Sequence, residues 1–411
     1  MRKLVLCGLA LVFIGGLSWA QGKVEILGVW SGEELESFQA VLKPFIAATG
    51  IKVEFVGTRD LAAVLTTRVV AGNPPDLAIL PNPGQMVDLA KGAYLVPLDT
   101  LMDMGKLRAD YGATLDDGSY NGRVYGFFFK MAVKSLVWYN PQALFAAGYA
   151  VPDSWNELIY VSEKLTKPGV SPWAIGLESG AATGWAGTDW IEDILLRTAG
   201  PEIYDQWVRH EIPWTHPAVE LAFQIFGGFV KHAYGGGTGM ATINFGDSPA
   251  ALFAVPPAAY FHRQASFITG FFPAGVVAEV DYDFFAFPSI NPKYGVPVLT
   301  GGDLVVAFRD RPEVRKLMDY LASADAQAIW AKRGGYLTAN KSLSLAVSPD
   351  ELTRKMAQML VEATVARFDA SDLMPAAVGA GAFWQGVVDY VTGVPLDTVL
   401  RNIERAAQAA Y

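Results

Sequence analysis

The chain has 411 residues, 52% of them hydrophobic, with 41 acidic side chains against 32 basic ones and a formal charge of −9. An acidic balance with no Lys/Arg cluster excludes a nucleic-acid partner held by its phosphates, and the length exceeds a single core of roughly 100–200 residues, so two lobes are expected. The one cysteine, Cys7, falls in a segment expected to be removed, which excludes disulfides, thiol catalysis and cysteine-held metal from the remainder.

At the N-terminus, Arg2 and Lys3 precede the apolar run Leu4 to Leu17 and then Ser18-Trp19-Ala20-Gln21, the pattern of a secretory signal peptide cleaved after Ala20. The run is shorter than the ~20 residues that span a bilayer. Cys7 opens it rather than following it, which argues against a lipid anchor.

Lys23 to Trp30 reads as a short buried strand, after which Ser31-Gly-Glu-Glu34 opens an amphipathic helix carrying Leu35, Phe38, Val41, Leu42 and Phe45. The pattern repeats twice. Lys52 to Val56 leads to Thr58-Arg59-Asp60 and a helix through Leu61, Leu65 and Val69; Leu77 to Leu80 leads to Pro81-Asn-Pro-Gly84 and a helix through Met86, Leu89 and Ala90. Such alternation implies a parallel sheet whose strand C-termini share one edge, where a ligand would sit. Tyr125 to Lys130 and Ser135 to Tyr139 are extended runs that cross into a second lobe, so the lobes interleave. Residues 142 to about 282 read as mainly helical, with apolar residues at helical spacing in Trp155 to Leu165, Trp190 to Ala199 and Val219 to Phe229. Extended character returns at Asp281 to Pro288, and Gly301 to Phe308 leads to a helix from Pro312 to Ala322 in the first lobe. Pro349 to Val365 and Phe383 to Ala410 close the chain as helix, and Gly235-Gly-Gly-Thr-Gly239 is the one flexible tip expected.

His210, His216, His232 and His262 have no i,i+4 pairing or ligand spacing, so neither a metal nor a cofactor is implied. No GxSxG, P-loop or GxGxxG after a strand is present. Two carboxylate pairs, Asp189 with Glu192 and Asp281 with Asp283, suit either of two roles: acid and base flanking a glycosidic bond, or acceptors for sugar hydroxyls. Binding needs acceptors without pKa tuning, which favours the second role. Trp185-Ala-Gly-Thr-Asp-Trp190 gathers two aromatics, a hydroxyl and a carboxylate, either as a site or as the N-cap of a helix that starts at Trp190. Trp30 to Glu34 has the same ambiguity, with Ser31 and Glu34 as a capping box. The Gly301-Gly302-Asp303 and Gly334-Gly335-Tyr336 stretches permit either close approach to a ligand or tight turns.

Phe45-x3-Thr49-Gly-Ile-x-Val53, Val69-x-Ala-Gly-Asn-Pro-Pro-Asp76 and Tyr320-Leu-Ala-Ser-x-x-Ala-Gln327, together with the signal peptide, resemble the extracellular solute-binding proteins of carbohydrate ABC importers, the maltose-binding-protein type. Within that group, Gly187 to Arg197, Asp281 to Phe285 and Arg367-Phe-Asp-x-Ser-Asp-Leu-Met-Pro375 are similar to the α-glucoside-binding branch. The resemblance implies an α/β, two-lobed periplasmic-binding-protein fold with interleaved lobes, three hinge crossovers and a central ligand cleft. On that pattern residues 21–129 and 286–338 form the N-terminal lobe and residues 130–285 and 339–411 the C-terminal lobe. It further implies a monomeric receptor rather than an enzyme, capturing an α-linked di- or oligosaccharide and delivering it to a membrane permease by lobe closure.

By position in the family pattern, first-lobe contacts are expected from Trp30, Ser31, Glu33, Arg59, Asp60 and Asn82, with Gly301, Gly302 and Asp303 from the later segment. Second-lobe contacts are expected from Lys130, Trp185, Thr188, Asp189, Asp247 and Asp372, with Tyr336 and Trp384 as further aromatic candidates. Asp247 otherwise caps a helix, and Asp372 is otherwise a structural carboxylate satisfied by Arg367. As a contact, Asp189 replaced by Ala should weaken sugar binding more than about tenfold and spare stability; equal loss of stability would mark it as structural. The rival readings are a secreted glycan-active enzyme and a sensory receptor that hands its closed lobes to a membrane kinase or chemoreceptor.

Overall fold

The computed structural model describes residues 22–411; residues 1–21, with the expected signal peptide and its cleavage point at Ala20, lie outside the described residues. Among the described residues ten strands build the two large sheets, beside a small hairpin of Ser119–Tyr120 and Arg123–Val124: β1 Lys23–Gly28, β2 Lys52–Gly57, β3 Leu77–Leu80, β4 Gly126–Val133, β5 Leu136–Tyr139, β6 Ser171–Trp173, β7 Ala259–Arg263, β8 Asp283–Ala286, β9 Val298–Ala307 and β10 Ala366–Phe368.

The first sheet runs β10-β9-β3-β1-β2, with β4 on the other side of β9. β1 pairs in parallel with β2 and β3, as the β-turn-α repeats require, because each helix returns the chain to the same end of the sheet. β9 departs from the all-parallel expectation and runs antiparallel to β3 and β4, since the chain re-enters this lobe from the other one. The helices Gly32–Thr49 and Leu61–Val70 bury one stripe each, Phe38, Val41, Leu42 and Phe45 on the first and Leu61, Leu65 and Val69 on the second. These stripes cover opposite faces of the sheet in two separate apolar clusters, one built on Trp30, Phe127 and Phe129 and the other on Leu27, Leu80 and Phe128.

The second sheet, β8-β5-β7-β6, is flanked by the helices Trp155–Leu165, Trp185–Thr198 and Pro217–Val230. Trp173, Trp190, Phe229 and Phe287 pack edge to face at its centre, the arrangement that ring quadrupoles favour. The chain passes between the sheets from β4 to β5, from β8 to β9 and again beyond Tyr336, so the lobes interleave through three crossovers. At the last of these, β10 adds to the hinge end of β9, with Val298–Thr300 paired to Ala366–Phe368.

Two local expectations change. The second-lobe helix starts at Trp185, not Trp190, with Gly184 at its cap, so Thr188 and Asp189 stand inside the helix and cap nothing. Gly235–Gly239 is not a free tip: Gly236–Thr242 is a helix, and a Cβ at Gly237 would overlap the Val391 carbonyl, so the glycines let two backbones touch.

Candidate functional site

A cavity of about 260 Å³ lies between the lobes, at the C-terminal ends of β1, β2 and β3. Each β-turn-α unit delivers its turn there: Trp30 after β1, Arg59 and Asp60 after β2, and Pro81 and Asn82 after β3. This is the edge where ligands bind in open α/β sheets, because strand ends and helix N-termini converge on it.

One wall is polar. The register of β4 against β9 shifts between Asp303 and Leu304, a bulge that leaves Asp303 opposite Lys130 and both side chains at the cavity. Lys130 is ion-paired with Glu34 and lies 4.9 Å from the Trp330 ring centroid. Asp303 accepts the Trp30 indole N–H at 3.0 Å, and burial, only partly offset by Lys130, pushes its carboxyl up to about 6. Trp30 itself stacks on Phe55 and packs against Phe38 and Trp330, so its ring is core while its edge fixes the site.

The opposite wall is aromatic. Trp185 packs against Phe245 and Phe267, and Trp384 reaches the same cavity with its indole N–H donating to the Ser371 hydroxyl at 3.3 Å. Gly184 brings these two tryptophans together. It takes the left-handed conformation at φ 109°, and a Cβ there would overlap the Trp384 backbone carbonyl.

The floor is a buried ion cluster. Lys134 lies 3.0 Å from Asp189, is ion-paired with Asp369, sits 3.8 Å from Asp372 and has the Trp185 ring 5.5 Å away. Burial opposes the charge on Lys134, but the surrounding carboxylates outweigh it and hold the ammonium well above its ordinary range. Glu192 accepts the backbone N–H groups of Ala370 and Ser371 at 2.9 and 3.0 Å. One ammonium cannot balance four carboxylates, so protons must divide among them. Burial pushes Asp189 up to about 8 and raises Glu192 and Asp372. Asp369, against Lys134 and hydrogen-bonded to Asp189 and Ser371, is held low despite its burial. Asp189, Glu192 and Asp369 have the spacing of a cation site, but the Lys134 ammonium already rests on two of them.

Ten of the expected residues line the cavity: Trp30, Arg59, Asp60, Asn82, Lys130, Trp185, Gly302, Asp303, Asp372 and Trp384. Seven stand elsewhere. Ser31 and Glu33 are exposed in the first turn of their helix, and it is Glu34, leaving its capping-box role for Lys130, that enters the cavity. Thr188 is buried, donating to the Trp185 carbonyl at 2.8 Å with its oxygen 3.2 Å from the Ser371 hydroxyl. Asp189 is sealed below the floor by its pairing with Lys134. Asp247 is exposed in a turn. Gly301 sits within β9 under the Lys134 side chain. Tyr336 is buried with its hydroxyl on the Phe129 carbonyl. Arg367 is not the partner of Asp372: it pairs with Asp205 at 2.6 Å, while Asp372 accepts from Asn82.

Sequence reasoning passed over Glu34, Gln85, Lys134, Phe267, Asp369 and Ser371 as lining residues. For Lys134 a signal existed: it follows Lys130 and Ala132 at a spacing of two, immediately past the end of β4, so extended backbone carries a second lysine to the same side. Asp369 stands three residues before Asp372, where it accepts the Asp372 backbone N–H at 2.8 Å and turns both carboxyls toward one point.

Residues 30–328 match the family of bacterial extracellular solute-binding proteins, and the chain belongs to that family. Over 388 residues it is 47% identical to the osmoprotective compounds-binding protein GgtB of Synechocystis sp., covering 93% of this chain and 92% of the relative. Over 393 residues it is 41% identical to the alpha-glucosides-binding periplasmic protein AglE of Rhizobium meliloti, covering 93% and 86%. Among solved structures, the bacterial solute receptor AcbH superposes with a TM-score of 0.82 at 21% identity over 95% of this chain and 99% of that one. The maltose-bound MalE3 of T. maritima superposes with a TM-score of 0.73 at 19% identity over 95% and 100%. The chain is therefore an exported solute-binding protein with the two-lobed fold, and not an enzyme. Among the described residues no helix is long and apolar enough to cross a membrane.

Proposed function

We propose that this protein is the receptor of an ABC sugar importer, binding an α-linked disaccharide or short oligosaccharide in the interlobe cavity. The supporting observation is the composition of that cavity: Trp185 and Trp384 offer flat apolar faces on one side, and Asp303, Asn82, Asp372 and Gln85 offer acceptors and donors around them. A pyranose presents the complementary pattern of apolar ring face and equatorial hydroxyls. The name of the relative that binds α-glucosides agrees with a sugar ligand.

In this reading the mature chain begins after Ala20, acts as a monomer and engages its permease with the lobes closed. The lobes divide as 21–129 with 286–338 and 130–285 with 339–411. The contacts in this reading come from Trp30, Glu34, Arg59, Asp60, Asn82, Gln85, Lys130, Trp185, Gly302, Asp303, Asp372 and Trp384, which line the cavity.

A thermal-shift panel tests it, with maltose, trehalose, sucrose, palatinose, glucose, an amino acid and glycine betaine as ligands. A ligand that binds only the folded state raises Tm by mass action. Large shifts confined to α-linked disaccharides, with no product formed, are the expected result; a shift with betaine or the amino acid alone overturns the substrate class and leaves the fold standing.

A further inference from the structure

The acids and bases that line the cavity are unevenly matched, with five carboxyl groups, Glu34, Asp60, Asp303, Asp369 and Asp372, against three cations. Two of the three cations are already engaged. Lys130 is ion-paired with Glu34, and Lys134 with Asp189 and Asp369. The third, Arg59, lies 4.8 Å from the centroid of the Phe245 ring, within the fields of Glu34 and Asp303. Asp60 also faces the cavity and spends one carboxylate oxygen on the Ala181 N–H at 3.2 Å. An anionic ligand entering here would be stripped of water and set beside carboxylates; Lys130 and Lys134 could be reached only by breaking an existing pair, and Arg59, held over the Phe245 ring, already lies in the fields of Glu34 and Asp303. A neutral hydroxyl meets no such obstacle, since each carboxylate oxygen and amide is a ready hydrogen-bond partner.

We infer that the cavity selects uncharged sugars and rejects their anionic counterparts, and that the Glu34–Lys130 pair is the element that enforces the rejection. This rests on the sugar-receptor reading. Replacing Glu34 by Gln would free the Lys130 ammonium at the cavity wall and convert a neutralised pair into an anion acceptor, with little change of shape.

The experiment is isothermal titration of the mature chain with three forms of the disaccharide that binds tightest in the panel above: the parent, the form with one terminal CH₂OH oxidised to a carboxylate, and the isosteric carboxamide. The amide and the carboxylate share size and differ in charge. The carboxylate should bind at least about tenfold more weakly than the amide, and Glu34→Gln should narrow that ratio by about threefold or more. Asp303→Asn, which removes a second carboxylate from the same wall, should narrow it as well, so the test survives if one variant folds poorly. Equal binding of amide and carboxylate, or a ratio unmoved in both variants, overturns the inference while parental binding keeps the receptor reading intact. A carboxylate that binds where no neutral sugar does overturns both.

Discussion

Asp189 shows how burial reassigns a residue's role. It looked like a ligand contact because a carboxylate, a threonine and two tryptophans crowd into six residues, yet the helix begins five residues earlier than expected and turns it inward onto Lys134. Asp189→Ala should therefore act first on stability. The substitution takes one acceptor from a buried ammonium that keeps its pairing with Asp369, at a cost of about 1–3 kcal/mol. Asp189→Asn keeps the amide oxygen for Lys134 and mimics a carboxyl that burial already holds largely protonated at neutral pH, so it should cost far less. Urea denaturation of the ligand-free variants separates the two; equal losses would show that the charge, not the acceptor, is what Lys134 requires.

Among the elements, the turn into the helix Trp185–Thr198 carries the aromatic wall. Gly184 is needed twice, for its left-handed backbone and for the closeness of the Trp384 carbonyl. Gly184→Ala should lower stability by more than about 1 kcal/mol, the reverse of the gain that Gly-to-Ala brings where the backbone is compatible, and push Trp185 away from Trp384. Tryptophan fluorescence and sugar titration should then both change. An unaltered affinity would show that the spacing of the two rings does not matter to the ligand. The β4–β9 bulge is the polar counterpart, since without its register shift the alternation along β9 would aim Asp303 away from Lys130.

At the level of the whole molecule, the lobes are already in contact across the cavity mouth. Asp60 of the first lobe accepts the Ala181 N–H of the second, Arg59 lies over Phe245, and Asn82 donates to Asp372. These contacts favour the closed arrangement without help from a ligand, and a ligand adds only its differential affinity for that state. Arg59→Ala combined with Asp60→Ala should therefore shift the ligand-free ensemble toward open forms, visible as a larger radius of gyration in small-angle scattering. The ligand should restore the smaller radius. A radius unchanged by the double substitution would place the closing force in the hinge, where Lys134 and Ser135 of one crossover are tied to Asp369 and Leu299 of the others.

Local periodicity was enough to identify the first three β-turn-α units, the extended crossings near Lys130 and Tyr139, and the turns that carry Trp30, Arg59, Asp60 and Asn82, because apolar spacing and turn chemistry act over a few residues. The antiparallel entry of β9, the early start of the helix at Trp185 and the burial of Asp189, Thr188 and Tyr336 depended on segments far apart in sequence. Whether a carboxylate faces a sugar or a lysine is decided by what packs against it, and Lys134 meets Asp369 across more than two hundred residues of chain. Sequence alone determined the family and the edge of the sheet where the interlobe cavity lies. Tertiary structure decided which side chains reach that edge, since the desolvation and pairing of charges are properties of the assembled cavity and not of any one segment.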